Sequence, residues 1–267
     1  MTDTQTSYLF DTGSEQGAHH MDHLAHLFDA ATFGMLSPVA LQPGQRCLEV
    51  GAGGGSVVRW LADRVGPTGE VVATDIDTSR VHPGPGVTVV THDINDGLTG
   101  QLAGTYDLIH ARLTLLHLPR RAEIFTMLAG ALAPGGWLVV GDATARPLTV
   151  LSDHSPSDVA VWERIQYLSH KVVGPAAGMD LTWAQRISDQ MMSAGMRAMH
   201  GLDVSQTATG GTSGLLVHAA LNSQAHDALL AAGAEEWEMR RYQELCHDPT
   251  FRIWNYQLVY VRGQKRS

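Results

Sequence analysis

Cysteine is nearly absent: Cys47 and Cys246 are the only two in 267 residues, which excludes a disulfide framework and a four-cysteine metal site. Charge is also scarce. Asp, Glu, Lys and Arg make up 17% of the chain, against about 25% in an average soluble domain, too little for a solvated, unfolded polymer. Basic residues are the scarcer sign, 18 Lys+Arg against 27 Asp+Glu for a net charge of −9. A phosphate-binding surface needs clustered Lys and Arg, so no nucleic-acid partner is expected. No run reaches the ~18 apolar residues that cross a bilayer, so no membrane partner is expected. Met1 to Phe10 is polar, without the basic start, apolar centre and small-residue cleavage site of a secretory signal. The expected compartment is the reducing cytoplasm.

What is plentiful is apolar side chains at 44%, together with 28 Gly and 14 His. The length suits one α/β domain with insertions and is ample for a core. No repeat recurs at 20–50-residue spacing, and the chain reads as one pass of alternating elements. Met21, Leu24, Leu27, Phe28 and Ala31 fall at helical spacing and predict an amphipathic helix pair over residues 17–36. Cys47 to Val50 is a short apolar strand, followed by a glycine loop, a helix over Ser56 to Val65 and a second strand at Glu70 to Thr74. Further strands are expected at Val87–Thr91, Asp107–His110 and Trp137–Gly141, with a helix from Arg121 to Leu132. This alternation predicts a parallel sheet covered on both faces. Residues 150–195 are mostly helical in pattern. A strand near Met199–Thr207, helices across 213–246 and a strand from Arg252 to Val261 follow. With no Pro/Gly/Ser-rich linker, the expected organisation is an N-terminal helical lid over 1–40 and a core over 41–267 carrying a helical cap insertion at about 150–195.

The glycine loop carries the chemistry. Glu49-x-Gly51-x-Gly53-x-Gly55 follows a strand and opens a helix, where glycines let a ligand approach the backbone and free helix amides favour a polar or anionic group. The third glycine of a dinucleotide fingerprint would fall one residue later, at Ser56, and an acidic residue before the first glycine is foreign to that fingerprint. A nicotinamide-dependent oxidoreductase is therefore an alternative reading, together with a protein that keeps the fold as a binding module or a scaffold for another reaction.

From about Leu41 to Asp142 the chain resembles the class I S-adenosylmethionine-dependent methyltransferases, small-molecule single-domain type, through Glu49 and its spaced glycines, Asp75, Asp93 and the turn Pro134-Gly135-Gly136 into a fifth strand. The resemblance implies a Rossmann-like, doubly wound, mostly parallel sheet with an antiparallel last strand, N-terminal helices and a helical cap insertion. It implies S-adenosyl-L-methionine as cofactor, held by Glu49, Gly51, Ala52, Gly53 and Gly55. Asp75, with Ile76 beside it, takes the ribose hydroxyls, and Asp93 and Ile94 take the adenine. His110, Ala111 and Arg112 line the methionine end, and Tyr8 and Gln16 close over the cofactor. One departure is visible. Only eleven residues separate Asp75 from Val87, and His82-Pro83-Gly84-Pro85-Gly86 leaves no room for the family's full second helix.

The implied reaction is methyl transfer to a small, partly apolar metabolite at oxygen, nitrogen or carbon, of the kind found in natural-product biosynthesis. Ligands of open α/β sheets sit at the strands' carboxyl ends, which makes His110 and His117 the candidate bases, followed by His154 and His170. Met191, Met192, Met196 and Met199 near Trp183 read either as an apolar ligand surface or as a helix packed on the sheet. His19 and His23 share a helix face at i, i+4, but Asp22 lies on another side, and no metal is expected.

Overall fold

The computed structural model describes residues 15–267. In chain order these form α1 (Glu15–Leu36), β1 (Arg46–Val50), α2 (Ser56–Val65), β2 (Glu70–Asp75), β3 (Val87–Thr91), β4 (Tyr106–Arg112), α3 (Arg121–Gly130) and β5 (Leu132–Ala143). α4 (Pro156–Tyr167) continues through a π-helical turn (Leu168–Val173) into the short α5 (Gly174–Ala176). Then come α6 (Ile187–Ser193), β6 (Arg197–Thr209), α7 (Ser213–Gln224), α8 (His226–Ala231), α9 (Glu236–His247) and β7 (Arg252–Gln264). None of the described helices is long and apolar enough to cross a membrane.

The strands form one seven-stranded sheet in the order β3-β2-β1-β4-β5-β7-β6. β1 to β5 pair in parallel, and β7 runs antiparallel to β5 from Trp137↔Gln264 to Ala143↔Leu258. This is the Rossmann-like arrangement implied by the alternating elements, with its antiparallel strand in place. The chain starts at β1, winds outward to β3, then returns to lay β4 on the other flank of β1. The order reverses between β1 and β4, and at such a switch point the loops leaving the two strands part and open a crevice.

Two compact units emerge from the chain's packing. A sheet unit comprises Phe28–Thr144, Thr182–Val204 and Leu258–Ser267. A helical unit comprises residues 15–27 with Ala145–Leu181 and Ser205–Gln257. In the sheet unit Leu48, Val50, Val71, Val72, Leu108, Ile109, Leu138, Val139 and Val140 are all buried, the near-continuous apolar strands of a sheet covered on both faces. β3 is the exception, only half-buried along most of its length. The segment between β2 and β3 contains no helix, because its two prolines and two glycines cannot sustain one. The helical unit has its own core, in which Trp162, Ile165, Leu215, Leu229, Tyr242, Leu245, Phe251 and Ile253 are fully buried.

One expectation is corrected here. Residues 17–36 form a single helix rather than a pair, since no proline interrupts the stretch before Pro38 and Gly34 costs too little to break it.

Candidate functional site

The glycine loop lies at the switch point and is built by backbone constraints. Gly51, Gly53 and Gly55 have φ of +74°, +49° and +73°, a region that L side chains rarely adopt. Gly51 faces a further limit, because a Cβ there would overlap the Thr114 side chain. The amides of Gly51 and Ala52 both donate to Thr74 O, at 2.9 and 3.1 Å, tying the loop to the end of β2. Gly55 is the residue before α2, which begins without a side-chain cap, so its first amides remain available to a ligand.

Asp75 joins this loop. Its Oδ2 accepts the Gly53 N–H at 2.8 Å and its Oδ1 the Asp77 N–H at 3.2 Å. Burial raises its pKa, partly offset by those amide bonds. The Ile76 amide also bonds this carboxylate, and with four lone-pair positions in all it keeps acceptor capacity beyond the three amides. Ile76 beside it is 47% exposed, unusual for so apolar a side chain. Asp93 follows β3 and is exposed. Its Oδ1 accepts from both N and Nδ2 of Asn95, at 2.9 and 2.8 Å, capping the 3-10 turn Ile94–Asp96. Ile94 itself is buried.

Glu49 and His110 are register partners on β1 and β4, so their side chains leave the same face of the sheet. His110 Nδ1 and Glu49 Oε2 are hydrogen-bonded at 2.7 Å, and both side chains are essentially inaccessible, 0% and 3% exposed. Burial raises the Glu49 pKa, against the opposing pull of His110 and Arg112. His110 Nε2 is buried and has no partner among the described residues. Ala111 is buried. Arg112 Nη1 donates to Asp29 Oδ1 and Thr32 Oγ1, both at 2.8 Å, while Ser56 Oγ donates to the same Asp29 oxygen at 3.0 Å and Thr32 Oγ1 meets Tyr260 OH at 2.8 Å.

The loop leaving β4 completes the crevice wall. Leu113 has φ +53°, a costly conformation for a non-glycine residue and one that clusters at functional sites. It is held because Leu113 N–H donates to Gly141 O at 2.8 Å and Thr114 Oγ1 donates to Val50 O at 3.1 Å. His117 ends the short turn Leu115–His117 and is half-buried. Asp142, fully buried on β5, has its pKa pushed well above the usual carboxylate range by burial, offset in part by the backbone amides of Leu116 and Thr114.

The sheet unit thus brings together Glu49, Gly51, Ala52, Gly53, Gly55, Asp75, Ile76, His110, Ala111, Arg112 and His117, with Asp93 at the end of β3. Tyr8 and the side chain of Gln16 lie outside the described residues. His154 and His170 belong to the helical unit, where His154 Nε2 lies 3.6 Å from Asp248 Oδ2 and its ring packs edge-on against Phe251. Met191 and Met196 are buried and pack on Gly263, whereas Met192 is exposed, so this group is sheet packing. Sequence reasoning missed Asp29, Thr32, Thr114, Asp142 and Tyr260. Asp29 and Thr32, three apart on one face of α1, were the only pair with a readable signal.

A family model described as "Methyltransferase domain" matches residues 18–198. The methyltransferase GfsG of Streptomyces halstedii is 27% identical over 197 residues, 69% of this chain and 70% of that protein. Nocamycin O-methyltransferase of Saccharothrix syringae is 31% identical over 130 residues, 43% of this chain and 46% of that protein. The matches span 38% to 70% of the length of the curated relatives. In fold, the YcgJ protein of Bacillus subtilis superposes with a TM-score of 0.55 at 12% identity, covering 89% of this chain and 99% of that one. With the family model spanning more than half of its length, the chain belongs to the methyltransferase-domain family and so to the class I S-adenosylmethionine-dependent methyltransferases.

Proposed function

We propose that the chain methylates a small, partly apolar metabolite of natural-product type, with the sheet unit's switch-point crevice as its S-adenosylmethionine site. The observation that carries this is the locked pair of glycine loop and Asp75, a backbone cradle and a ribose-competent carboxylate fixed to each other through Gly53 N–H. The donor set fits the cofactor. His110 Nε2 is a buried polar atom with no partner among the described residues, and the positive-φ glycines leave the loop free of side chains where a ligand would lie.

When bound, S-adenosylmethionine supplies a methyl group on a sulfonium, transferred by in-line displacement as the electrons of the broken bond return to sulfur. The chain's own work is to bind, orient and exclude water. The remaining acceptor capacity of Asp75 serves the ribose hydroxyls, and Asp93 offers the acceptor for an exocyclic amine. Glu49 and Asp75 give the crevice the negative character that suits a cationic ligand. His110, fully buried against Glu49, acts as the positioning residue that holds this carboxylate, which leaves His117 as the sheet unit's candidate base for an acceptor that must lose a proton. The natural-product reading draws on the relative named for nocamycin and on the low charge of this chain. Cys47 and Cys246 are free and buried, which suits a reducing cytoplasm. The nicotinamide alternative draws no support from the family match.

The test is calorimetric titration with S-adenosylmethionine and NADH, followed by a screen of hydroxylated apolar metabolites for a mass gain of one CH2 (about 14 Da). Micromolar binding of the sulfur cofactor, none of NADH, and a product heavier by one CH2 are expected. NADH binding alone would reverse the assignment.

A further inference from the structure

The helical unit contains a second polar cluster with no part in the site above. His218 on α7 is fully buried, and its Nε2 lies 2.7 Å from Asn255 Oδ1. The orientation of that amide is fixed independently. Asn255 Nδ2 donates to Gly214 O at 2.8 Å, and its Oδ1 accepts the Tyr256 N–H at 2.7 Å. Oδ1 is therefore an acceptor, the proton must sit on His218 Nε2, and Nδ1 keeps its lone pair. Nδ1 is buried and has no partner among the described residues. A buried acceptor left without a donor is destabilising, and native interiors rarely tolerate one without a ligand, water or functional reason.

The surroundings define what could supply that donor. The Tyr256 ring lies 4.6 Å from the His218 ring, and Trp162 meets the imidazole edge-on at 5.6 Å. Tyr256 OH is 3.2 Å from His170 Nε2, and both Tyr256 and His170 are half-buried, so the cluster grades from partly open to closed. His170 sits in the π-helical turn, an irregularity that recurs at functional sites. The titratable groups acting on His218 are His170 and His20, and the group acting on His170 is Lys171. Burial lowers His20 and His170 to about 4 and His218 to about 3, so all three imidazoles are neutral at pH 7 and each carries one lone-pair nitrogen.

We propose that His218 Nδ1, framed by Tyr256 and His170, is the recognition point for an uncharged planar small molecule bearing a hydroxyl, a phenol or enol whose O–H donates to Nδ1. This binding site is argued from the helical unit alone and stands apart from the methyltransferase reading.

The test uses the full chain labelled with 15N in its histidines. It is titrated with phenol and with anisole, which has the same ring and no donor, while S-adenosylhomocysteine is titrated separately by calorimetry. Phenol at millimolar concentration is expected to move the His218 Nδ1 resonance and leave Nε2 in place. Anisole is expected to bind at least tenfold more weakly, equivalent to about 1.4 kcal/mol. In His218→Phe the preference for phenol disappears. Because the resonance is read on the unmutated protein, the result stands even if that variant does not fold. Equal binding of phenol and anisole, no binding of either, or phenol binding that leaves Nδ1 unmoved overturns the proposal. S-adenosylhomocysteine binding with a silent Nδ1 would overturn this inference and leave the methyltransferase reading intact, whereas a shifted Nδ1 without nucleoside binding would do the reverse.

Discussion

Among carboxylates and imidazoles, those whose pKa burial shifts are acids in the sheet unit and bases in the helical unit. The sheet unit hides acids: Glu49, Asp75 and Asp142 all have raised pKa values, and burial is the largest cause in each. The helical unit hides bases: His20, His170 and His218 are lowered for the same reason. Desolvation penalises whichever form carries charge, so one physical cause prepares two different interiors. The acids offer acceptors to a cationic, hydroxyl-rich ligand, and the neutral imidazoles offer lone pairs without charge.

The contrast fixes opposite responses to pH. An imidazole lowered to about 4 or 3 in the folded state is protonated first in the unfolded chain. Its contribution is therefore intact above about pH 6.5 and lost as pH falls, by about 1.4 kcal/mol per pH unit for each such group. A carboxylate with a raised folded pKa behaves the other way. Its contribution is greatest below the ordinary carboxylate range and is lost as pH rises through the folded value. The largest expected effect follows. Between pH 7 and pH 4.5 the amides of α7 should lose hydrogen-exchange protection worth several kcal/mol, after correction for intrinsic exchange, while those of β1 and β4 keep theirs. Parallel losses in both units would break the comparison.

Next in size is Gly51→Ala. A positive φ and overlap with Thr114 should lower stability by about 1–3 kcal/mol and abolish S-adenosylhomocysteine binding, as read by denaturant melts and calorimetry. Unchanged binding would show that the loop relaxes freely. Glu49→Gln sharpens the acid side. Removing a buried acid while keeping an acceptor for His110 should weaken cofactor binding yet raise stability at pH 8 by about 1 kcal/mol. A loss of stability there would mean that the Glu49–His110 pair is a net stabiliser of the empty protein. The smallest effect is expected from Met192→Ala on exposed α6, within about 0.5 kcal/mol of the parent protein and without change in cofactor affinity.

The sequence was most legible where function is local. Gly51, Gly53 and Gly55 announce a positive-φ loop between strand and helix, and the two prolines before β3 announce a missing helix. Glu49 and His110 were each identified as cofactor neighbours. That they bond each other was not visible, because it depends on the β1–β4 register across 61 residues. Asp29, Thr32 and Tyr260 escaped for the same reason, since their partner Arg112 or Thr32 lies far away in the chain. Asp93 proves to be a turn cap as well as a candidate ligand, two roles that one Asp before Asn95-Asp96-Gly97 cannot distinguish in sequence. The methionines near Trp183 carry the helical spacing of a ligand surface and of ordinary packing alike, and burial against Gly263 decides for packing.

The central claim, that the glycine loop and Asp75 together hold S-adenosylmethionine, is tested most directly by calorimetric titration of S-adenosylhomocysteine into the wild-type chain and Asp75→Ala. The account predicts saturable one-to-one binding that weakens at least tenfold, about 1.4 kcal/mol, in a variant that remains folded. Equal affinity of the two proteins, or no binding to the wild type, would contradict it.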